Sequence, residues 1–332
     1  MRAMVLREPR PIEEAPLRLE GLPRPEPGEG ELLVRVEACG VCRTDLHVVE
    51  RDLPPQRDAV VPGHQVVGLV EALGRGASRF APGTRVGIAW LRWTCGHCRY
   101  CTRGQENLCL ASRFTGYHAD GGFAEFAVVH QDFAYAIPTN LGAASATPLL
   151  CAGIIGYRAL RRARISPGCR LGLYGFGASA HIAIQVARHE GCEVYVMTRE
   201  KRHQQLALEL GAVWVGGAAD RPPAPLNAAV VFAPVGDLVL PALDALDAGG
   251  TVALAGIYMT PIPTMDYDRY LFRERNLCSV TANTRADGNE LLRLAAEIPV
   301  RPQTTSFRLE DANEALSQLK HDGFQGAGVL LP

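Results

Sequence analysis

Short apolar runs separated by turn residues fill roughly the first 140 positions, and the spacing becomes helical near Pro148. Met4–Leu6, Glu31–Glu37, Val66–Ala72, Arg85–Ala89 and Phe123–Val129 are rich in β-branched or aromatic residues, which pack well on a pleated surface. Gly and Pro punctuate them, as in Pro25-Glu-Pro-Gly-Glu-Gly and Ala81-Pro-Gly-Thr. Many short strands with regular turn signals predict a barrel or sandwich.

Beyond Pro148 the spacing of Leu150, Ile154, Tyr157 and Leu160 predicts a helix over 149–162. Strands are then expected at 170–174, 193–198, 228–232 and 251–257, with helices at 180–190, 204–210 and 238–246. This β–α–β rhythm predicts a doubly wound parallel sheet. The tail reads as helices at 289–297 and 309–321 and a strand at 328–331, returning to the first domain. The expected class is α/β, with a β-rich domain over 1–147 and 286–332 and a doubly wound parallel-sheet domain over 148–285.

A length of 332 residues agrees with two domains, and 47% apolar with 21% charged residues is ordinary for a globular chain. The formal net charge is −1 and no long run carries one sign, so no basic field argues for nucleic acid. Met1-Arg-Ala-Met-Val-Leu-Arg-Glu lacks the apolar core of a signal peptide. No stretch approaches the roughly 18 apolar residues of a membrane span, so the expectation is a cytoplasmic protein without membrane or nucleic-acid partners. Lys201 and Lys320 are the only lysines, a bias toward Arg that fits genome composition first and heat adaptation second.

Ten cysteines change the picture. In a reducing compartment so many thiols point to metal binding or catalysis rather than disulfides. Cys95, Cys98, Cys101 and Cys109 form a tight cluster within a lobe at 93–111. Four thiolates satisfy tetrahedral zinc, and a closed set leaves no position for substrate, so the role would be structural. The intervening Gly, Arg and polar residues could hardly build an apolar core. An iron–sulfur cluster is the alternative occupant, and unligated thiols the bland one. His97 lies inside the cluster but a four-sulfur set is complete without it; it is expected to be solvated.

A second set is dispersed. Cys42 follows an expected strand, His64 lies in Gly63-His64-Gln65, and Cys151 starts the first long helix. Together they make a two-sulfur, one-nitrogen site with one coordination position left open, the pattern of catalytic zinc. Singly each has an ordinary reading: a histidine after Gly is usually a satisfied turn residue, and a helix-start Cys a small buried hydrophobe.

Gly40-Val-Cys-Arg-Thr-Asp-Leu-His, Val61-Pro-Gly-His, the Cys95-x-x-Cys-x-x-Cys run with Cys109, Asp120-Gly-Gly-Phe-Ala-Glu and Pro148-Leu-Leu-Cys-Ala-Gly occur in this order. Together they make the chain resemble the zinc-containing alcohol dehydrogenases of the medium-chain dehydrogenase/reductase superfamily. The C-terminal fifth matches loosely. The resemblance implies a GroES-like catalytic domain interrupted by a Rossmann domain. It implies two zinc ions per chain, one catalytic on Cys42, His64 and Cys151 and one structural on Cys95, Cys98, Cys101 and Cys109. It implies that Thr44 takes the alcohol proton, that His47 passes it toward solvent, that Arg43 touches the cofactor pyrophosphate, and that Asp45 orients His64. Trp90 and the Phe114–Tyr117 segment, Tyr117 included, would face the substrate, with Ile257 and Tyr258 near the nicotinamide. Such aromatic walls favour apolar or aromatic alcohols, aldehydes or ketones. A homodimer or homotetramer is the family habit. One departure stands out: the family pattern is Gly-His-Glu, and position 65 is Gln, which removes a negative charge beside the expected metal.

Leu171-Gly-Leu-Tyr-Gly175-Phe-Gly177-Ala178-Ser179-Ala180 is a strand, a Gly-rich turn and a helix start, a GxGxxA variant of the dinucleotide fingerprint. After the next expected strand come Thr198, Arg199, Glu200, Lys201 and Arg202. A carboxylate at the ribose position would repel a 2′-phosphate, whereas Arg199 or Arg202 could pair with it. NADP(H) is therefore favoured over NAD(H). Glu200 would serve NAD if the turn is shifted, and the arginines could simply be solvated. Two rivals remain: a zinc-free quinone or enone reductase of the same superfamily, which would not need either cysteine set, and a non-catalytic dinucleotide-binding module, which would not need Thr44 and His47.

Overall fold

The computed structural model describes all residues except Pro299, Arg301 and Gln325. The chain forms two compact units, Met1–Cys151 with Ala282–Pro332, and Ala152–Thr281. The boundaries lie a few residues from the expected 147/148 and 285/286.

The first unit is built on a seven-stranded sheet. Its order is Thr304–Arg308, Ala327–Leu331, Glu31–Val41, Gln65–Leu73, Arg85–Ile88 and Ala134–Ala136, with Phe126–His130 also paired to Glu31–Val41. The two C-terminal strands pair in parallel and the remaining pairs are antiparallel. Glu31–Val41 is the spine. Its eleven residues are mostly buried because neighbours cover it along both edges. Leu32, Val34, Val66, Val86, Ile88 and Phe123 anchor the core. The tail does return to this unit, with Val329 opposite Gly40.

Several expected elements shift. The helix expected at 149–162 is broken: a 3₁₀ turn covers Thr147–Leu150 and the α-helix runs Ala152–Arg162. Cys151 stands at the break with φ −135° and ψ −75°. The apolar period runs through the break unaltered, because Leu149, Leu150 and Ile154 are buried on either side of it. The helix expected at 309–321 divides likewise into a turn at Leu309–Asp311 and a helix at Ala312–Lys320. The helix expected at 289–297 begins earlier, at Arg285, because Thr284 and Asp287 form a capping box. Strands Leu17–Gly21 and Thr304–Arg308 lay outside the expected set.

The second unit carries a six-stranded, wholly parallel sheet. Its spatial order is Trp214–Gly216, Glu193–Met197, Arg170–Tyr174, Leu226–Val231, Leu246–Leu254 and Asn276–Ser279. Numbered along the chain this reads 3-2-1-4-5-6, the order of dinucleotide-binding doubly wound sheets. Leu171, Leu173, Val194, Val196, Val230 and Val252 are fully buried, as expected of parallel strands covered on both faces. The short strands Trp214–Gly216 and Asn276–Ser279 escaped the periodicity reading. Among the described residues no single helix is long and apolar enough to cross a membrane.

Candidate functional site

In the first unit the backbone collects three dispersed residues. Cys42 caps the helix Arg43–Val49, its Sγ accepting a hydrogen bond from the Thr44 amide at 3.3 Å. Asp45 closes the cap by accepting from the Cys42 amide at 2.9 Å through Oδ2. Its Oδ1 accepts from the Gly63 amide at 3.2 Å and lies 2.9 Å from His64 Nδ1. Gly63 has φ +97°, and a Cβ there would fall 2.4 Å from the Phe123 ring, so only glycine turns the chain tightly enough to aim His64 inward. The break at Cys151 brings in the third group.

The ligand atoms of Cys42, His64 and Cys151 lie within 4.8 Å of one another. Cys42 Sγ is 3.4 Å from His64 Nε2 and 3.9 Å from Cys151 Sγ. Thiolates bound at about 2.3 Å to a tetrahedral zinc stand roughly 3.8 Å apart, so the spacing fits an ion. The donor chemistry agrees: contact with Cys151 and burial push the Cys42 thiol well above its ordinary range, so a thiolate pair there needs a cation. Asp45 holds His64 through Nδ1, leaving Nε2 toward the sulfurs. Gln65 is buried beside His64 at the start of Gln65–Leu73, packed so closely on Gly40 that a Cβ at 40 would meet its Cδ at 3.0 Å.

Around this centre Thr44 is buried and His47, one turn on, is half-exposed. Asp52, which the sequence reading passed over, lies 2.7 Å from His47 Nδ1 through Oδ2. The only signal for it was an acid just beyond a helix end, one among many. Arg43 is exposed, its guanidinium 3.7 Å from Asp322. Trp90 meets the His64 ring edge-on at a 5.1 Å centroid distance, then stacks on Phe114 at 4.8 Å and on Tyr117 at 5.9 Å. Tyr117 is itself fixed by donating to the Pro54 carbonyl at 2.7 Å. These rings form one aromatic wall against a metal-ligand candidate.

The second cysteine set also closes. Cys95, Cys98, Cys101 and Cys109 place their sulfurs within 4.8 Å of one another. Individual Sγ–Sγ separations are 3.6 Å for Cys98–Cys101, 3.6 Å for Cys95–Cys109 and 3.9 Å for Cys95–Cys101. His97 is exposed and turns to the Cys95 carbonyl, outside the sulfur set. The Cys98 thiol is drawn down to about 6 by backbone amides near Cys101, as suits a metal thiolate. Glu106, within the same lobe, takes three groups of Arg285: the backbone amide at 2.7 Å, Nε at 3.0 Å and Nη2 at 2.6 Å. That contact, not anticipated from sequence, ties the lobe to the helix Arg285–Glu297.

In the second unit the glycine turn follows Arg170–Tyr174 and opens the helix Ala178–His189. Gly175 has φ +87°, and a Cβ there would fall 2.9 Å from the Ala233 amide. A Cβ on Gly177 would meet nothing within 4 Å, leaving room above the helix N-terminus. The amides of Ala178 and Ser179 belong to the first helical turn, which lacks intrahelical acceptors, and such a terminus suits a pyrophosphate. After Glu193–Met197, Thr198 is buried and its carbonyl accepts from Gln204 at 2.9 Å, whereas Arg199, Glu200 and Arg202 are exposed. Ile257 and Tyr258 are exposed in this unit.

Comparison with known proteins supports the same reading. Residues 28–139 match the family described as Alcohol dehydrogenase GroES-like domain, and residues 180–297 the one described as Zinc-binding dehydrogenase. The chain is 54% identical to a probable alcohol dehydrogenase of Mycobacterium tuberculosis, over all of this chain and 97% of that one. It is 35% identical to an alcohol dehydrogenase of Geobacillus stearothermophilus, over 95% of each. Among solved structures it resembles a cinnamyl alcohol dehydrogenase from Sorghum bicolor, with TM-score 0.89, 27% identity, and coverage of 99% of this chain and 96% of that one. With a GroES-like unit, a Rossmann sheet and full-length alcohol dehydrogenase relatives, the chain is an oxidoreductase belonging to the zinc-containing alcohol dehydrogenases of the medium-chain dehydrogenase/reductase superfamily.

Proposed function

We propose that the protein is a zinc-dependent dehydrogenase that interconverts aryl or other apolar alcohols with their aldehydes or ketones, using NADP(H). The observation that carries the reading is the convergence of Cys42, His64 and Cys151, in a unit that separately assembles the Cys95, Cys98, Cys101 and Cys109 set. A three-ligand site leaves a coordination position for substrate, whereas a four-sulfur set does not. A zinc ion in the former supplies Lewis acidity that eases loss of the alcohol proton.

The chain's own groups do the rest. Asp45 holds the His64 ring in one orientation and tautomer. Thr44, buried one turn before His47, accepts the alcohol proton at its hydroxyl oxygen as it gives up its own hydroxyl proton, which passes on to His47 and from there toward water. Asp52 fixes Nδ1 of His47, leaving Nε2 to exchange the proton. Trp90, Phe114 and Tyr117 exclude water and receive a flat apolar substrate. The likeness to a cinnamyl alcohol dehydrogenase agrees with an aryl group in that position.

Gly175, Gly177, Ala178 and Ser179 cradle the pyrophosphate at the helix N-terminus. Thr198 carries no carboxylate into the ribose position, and Arg199 and Arg202 supply cations for a 2′-phosphate. A homo-oligomer is proposed from the exposed Tyr267 and Phe272, which stand just before the edge strand Asn276–Ser279.

Steady-state kinetics on a panel of aryl and aliphatic aldehydes with both cofactors test this reading. It expects kcat/KM at least about tenfold higher with NADPH, and an Arg199→Ala, Arg202→Ala variant that loses this margin, since each charge-assisted bond contributes about 1.5–3 kcal/mol. At least tenfold better use of NADH would end the NADP(H) assignment. Absence of turnover on every alcohol and carbonyl would end the dehydrogenase assignment.

A further inference from the structure

Four cysteines, Cys39, Cys169, Cys192 and Cys278, belong to neither metal-ligand set. Two of them face each other. Cys169 immediately precedes the strand Arg170–Tyr174, and Cys192 immediately precedes Glu193–Met197. These strands pair in parallel with Arg170 opposite Glu193, so the cysteines stand opposite one residue earlier. The pairing continues through them: the Glu193 amide donates to the Cys169 carbonyl at 2.9 Å, and the Gly168 amide to the Gly191 carbonyl at 3.0 Å. Neighbouring strands lie about 4.8 Å apart, inside the Cα–Cα range of about 4.4–6.8 Å that a disulfide spans. The two Sγ atoms are already 3.2 Å apart. Closing to a bond of about 2.05 Å requires a movement of roughly 1.2 Å, which side-chain rotation supplies.

We propose that Cys169 and Cys192 form a reversible redox pair, oxidised by hydroperoxides to a disulfide that staples the start of the dinucleotide-binding sheet. The pair sits at the N-terminal ends of its strands, whereas the glycine turn and Thr198 lie at the C-terminal ends. The staple therefore acts on the stability of the unit and leaves the cofactor loop in place.

The chemistry balances. The Cys169 thiolate attacks one oxygen of hydrogen peroxide, the O–O bond breaks, and the leaving hydroxide takes the thiol proton to become water. Sulfur is now a sulfenic acid. Cys192 attacks that sulfur, its proton joins the departing hydroxyl, and a second water leaves as the S–S bond forms. Two thiols and one peroxide give one disulfide and two waters. The 3.2 Å contact between the sulfurs lowers one thiol, Cys169, as it raises the other, so one thiolate of the pair is available to attack. Cys169 and Cys192 keep 5% and 7% of their surface exposed, next to the turns that lead into their strands.

The test uses the metal-loaded protein treated with stoichiometric hydrogen peroxide, then alkylated and digested with trypsin without reduction. Arg164, Arg170, Arg188 and Arg199 frame the two cysteines. The expected product is a linked pair, Ile165-Ser-Pro-Gly-Cys-Arg with His189-Glu-Gly-Cys-Glu-Val-Tyr-Val-Met-Thr-Arg. It should form before metal is released and disappear with dithiothreitol. Tm should rise by at least about 3 °C on oxidation, with KM for the cofactor unchanged. Cys169→Ser and Cys192→Ser, each active when reduced, should show neither link nor rise. Three results would overturn the proposal: both cysteines fully alkylated while metal leaves, Cys169 over-oxidised without a link, or a link that leaves Tm unmoved.

Discussion

Asp45→Asn probes the orientation of the proposed catalytic ligand set with a change of one atom. The carboxylate is almost wholly buried, 3% exposed, against a His64 side chain at 0%. It accepts at both oxygens: from the Cys42 amide at Oδ2, and at Oδ1 from the Gly63 amide with His64 Nδ1 alongside. An asparagine keeps only one oxygen. If that oxygen stays toward His64, the new amide faces the Cys42 N–H, donor against donor, at about 1–3 kcal/mol. If it faces Cys42 instead, His64 meets a donor at Nδ1 and must move its proton to Nε2, the atom that faces Cys42 Sγ. Either way the ligand geometry loosens, and loss of such an orienting partner typically lowers metal affinity about 10–100-fold, or 1.4–2.7 kcal/mol. Competition with a chromophoric zinc chelator reads the two sites separately. The variant should give up one metal about 10–100-fold more readily while the Cys95, Cys98, Cys101 and Cys109 site holds its own, with turnover falling in step with the first. Affinity within twofold of wild type, or parallel weakening of both sites, would refute the assignment of Asp45.

Two further outcomes follow from particular contacts. Glu106→Gln should lower Tm by about 2–5 °C, since Arg285 loses a charged acceptor but, at 36% side-chain exposure, is partly compensated by solvent. Burial raises the Glu106 carboxyl, but hydrogen bonds from Arg285 outweigh it and hold the group below its ordinary range. Its stabilisation is therefore complete above the unfolded carboxyl value of about 4.3 and lost as pH falls through the lower folded value, so the difference between wild type and variant should shrink in acid; a difference that does not narrow as the pH is lowered would contradict this. Asp52→Asn should lower kcat about 3–10-fold with KM for cofactor unchanged, and add nothing in a His47→Gln background, which itself should lose about 100-fold or more. Additive losses in the double variant would separate Asp52 from His47.

The β–α–β half of the chain was legible because parallel strands and their covering helices imprint two periods on the sequence. Arg170–Tyr174 emerged with its expected bounds. The strands missed, Trp214–Gly216 and Asn276–Ser279, lie at sheet edges, where burial is partial and the apolar pattern fades. The helix break at Cys151 left no trace in periodicity, since the residues flanking it stay buried. The Cys95, Cys98, Cys101 and Cys109 set was readable from residue type and spacing, whereas Cys42, His64 and Cys151, each ordinary taken singly, became a set only through their joint occurrence with the family motifs. The partners that position them were less so. Asp45 was reached through family resemblance, while Asp52 and the Glu106–Arg285 tie depend on loop paths that no local pattern encodes.

Metal content and turnover measured on the same samples test the central claim most directly. Wild type should carry two zinc ions per chain. Cys151→Ser, at a position whose sulfur is 3.9 Å from that of Cys42, should retain one ion, remain folded and lose essentially all alcohol oxidation. Undiminished turnover in protein holding only the ion of the Cys95, Cys98, Cys101 and Cys109 set, or none at all, would contradict the account.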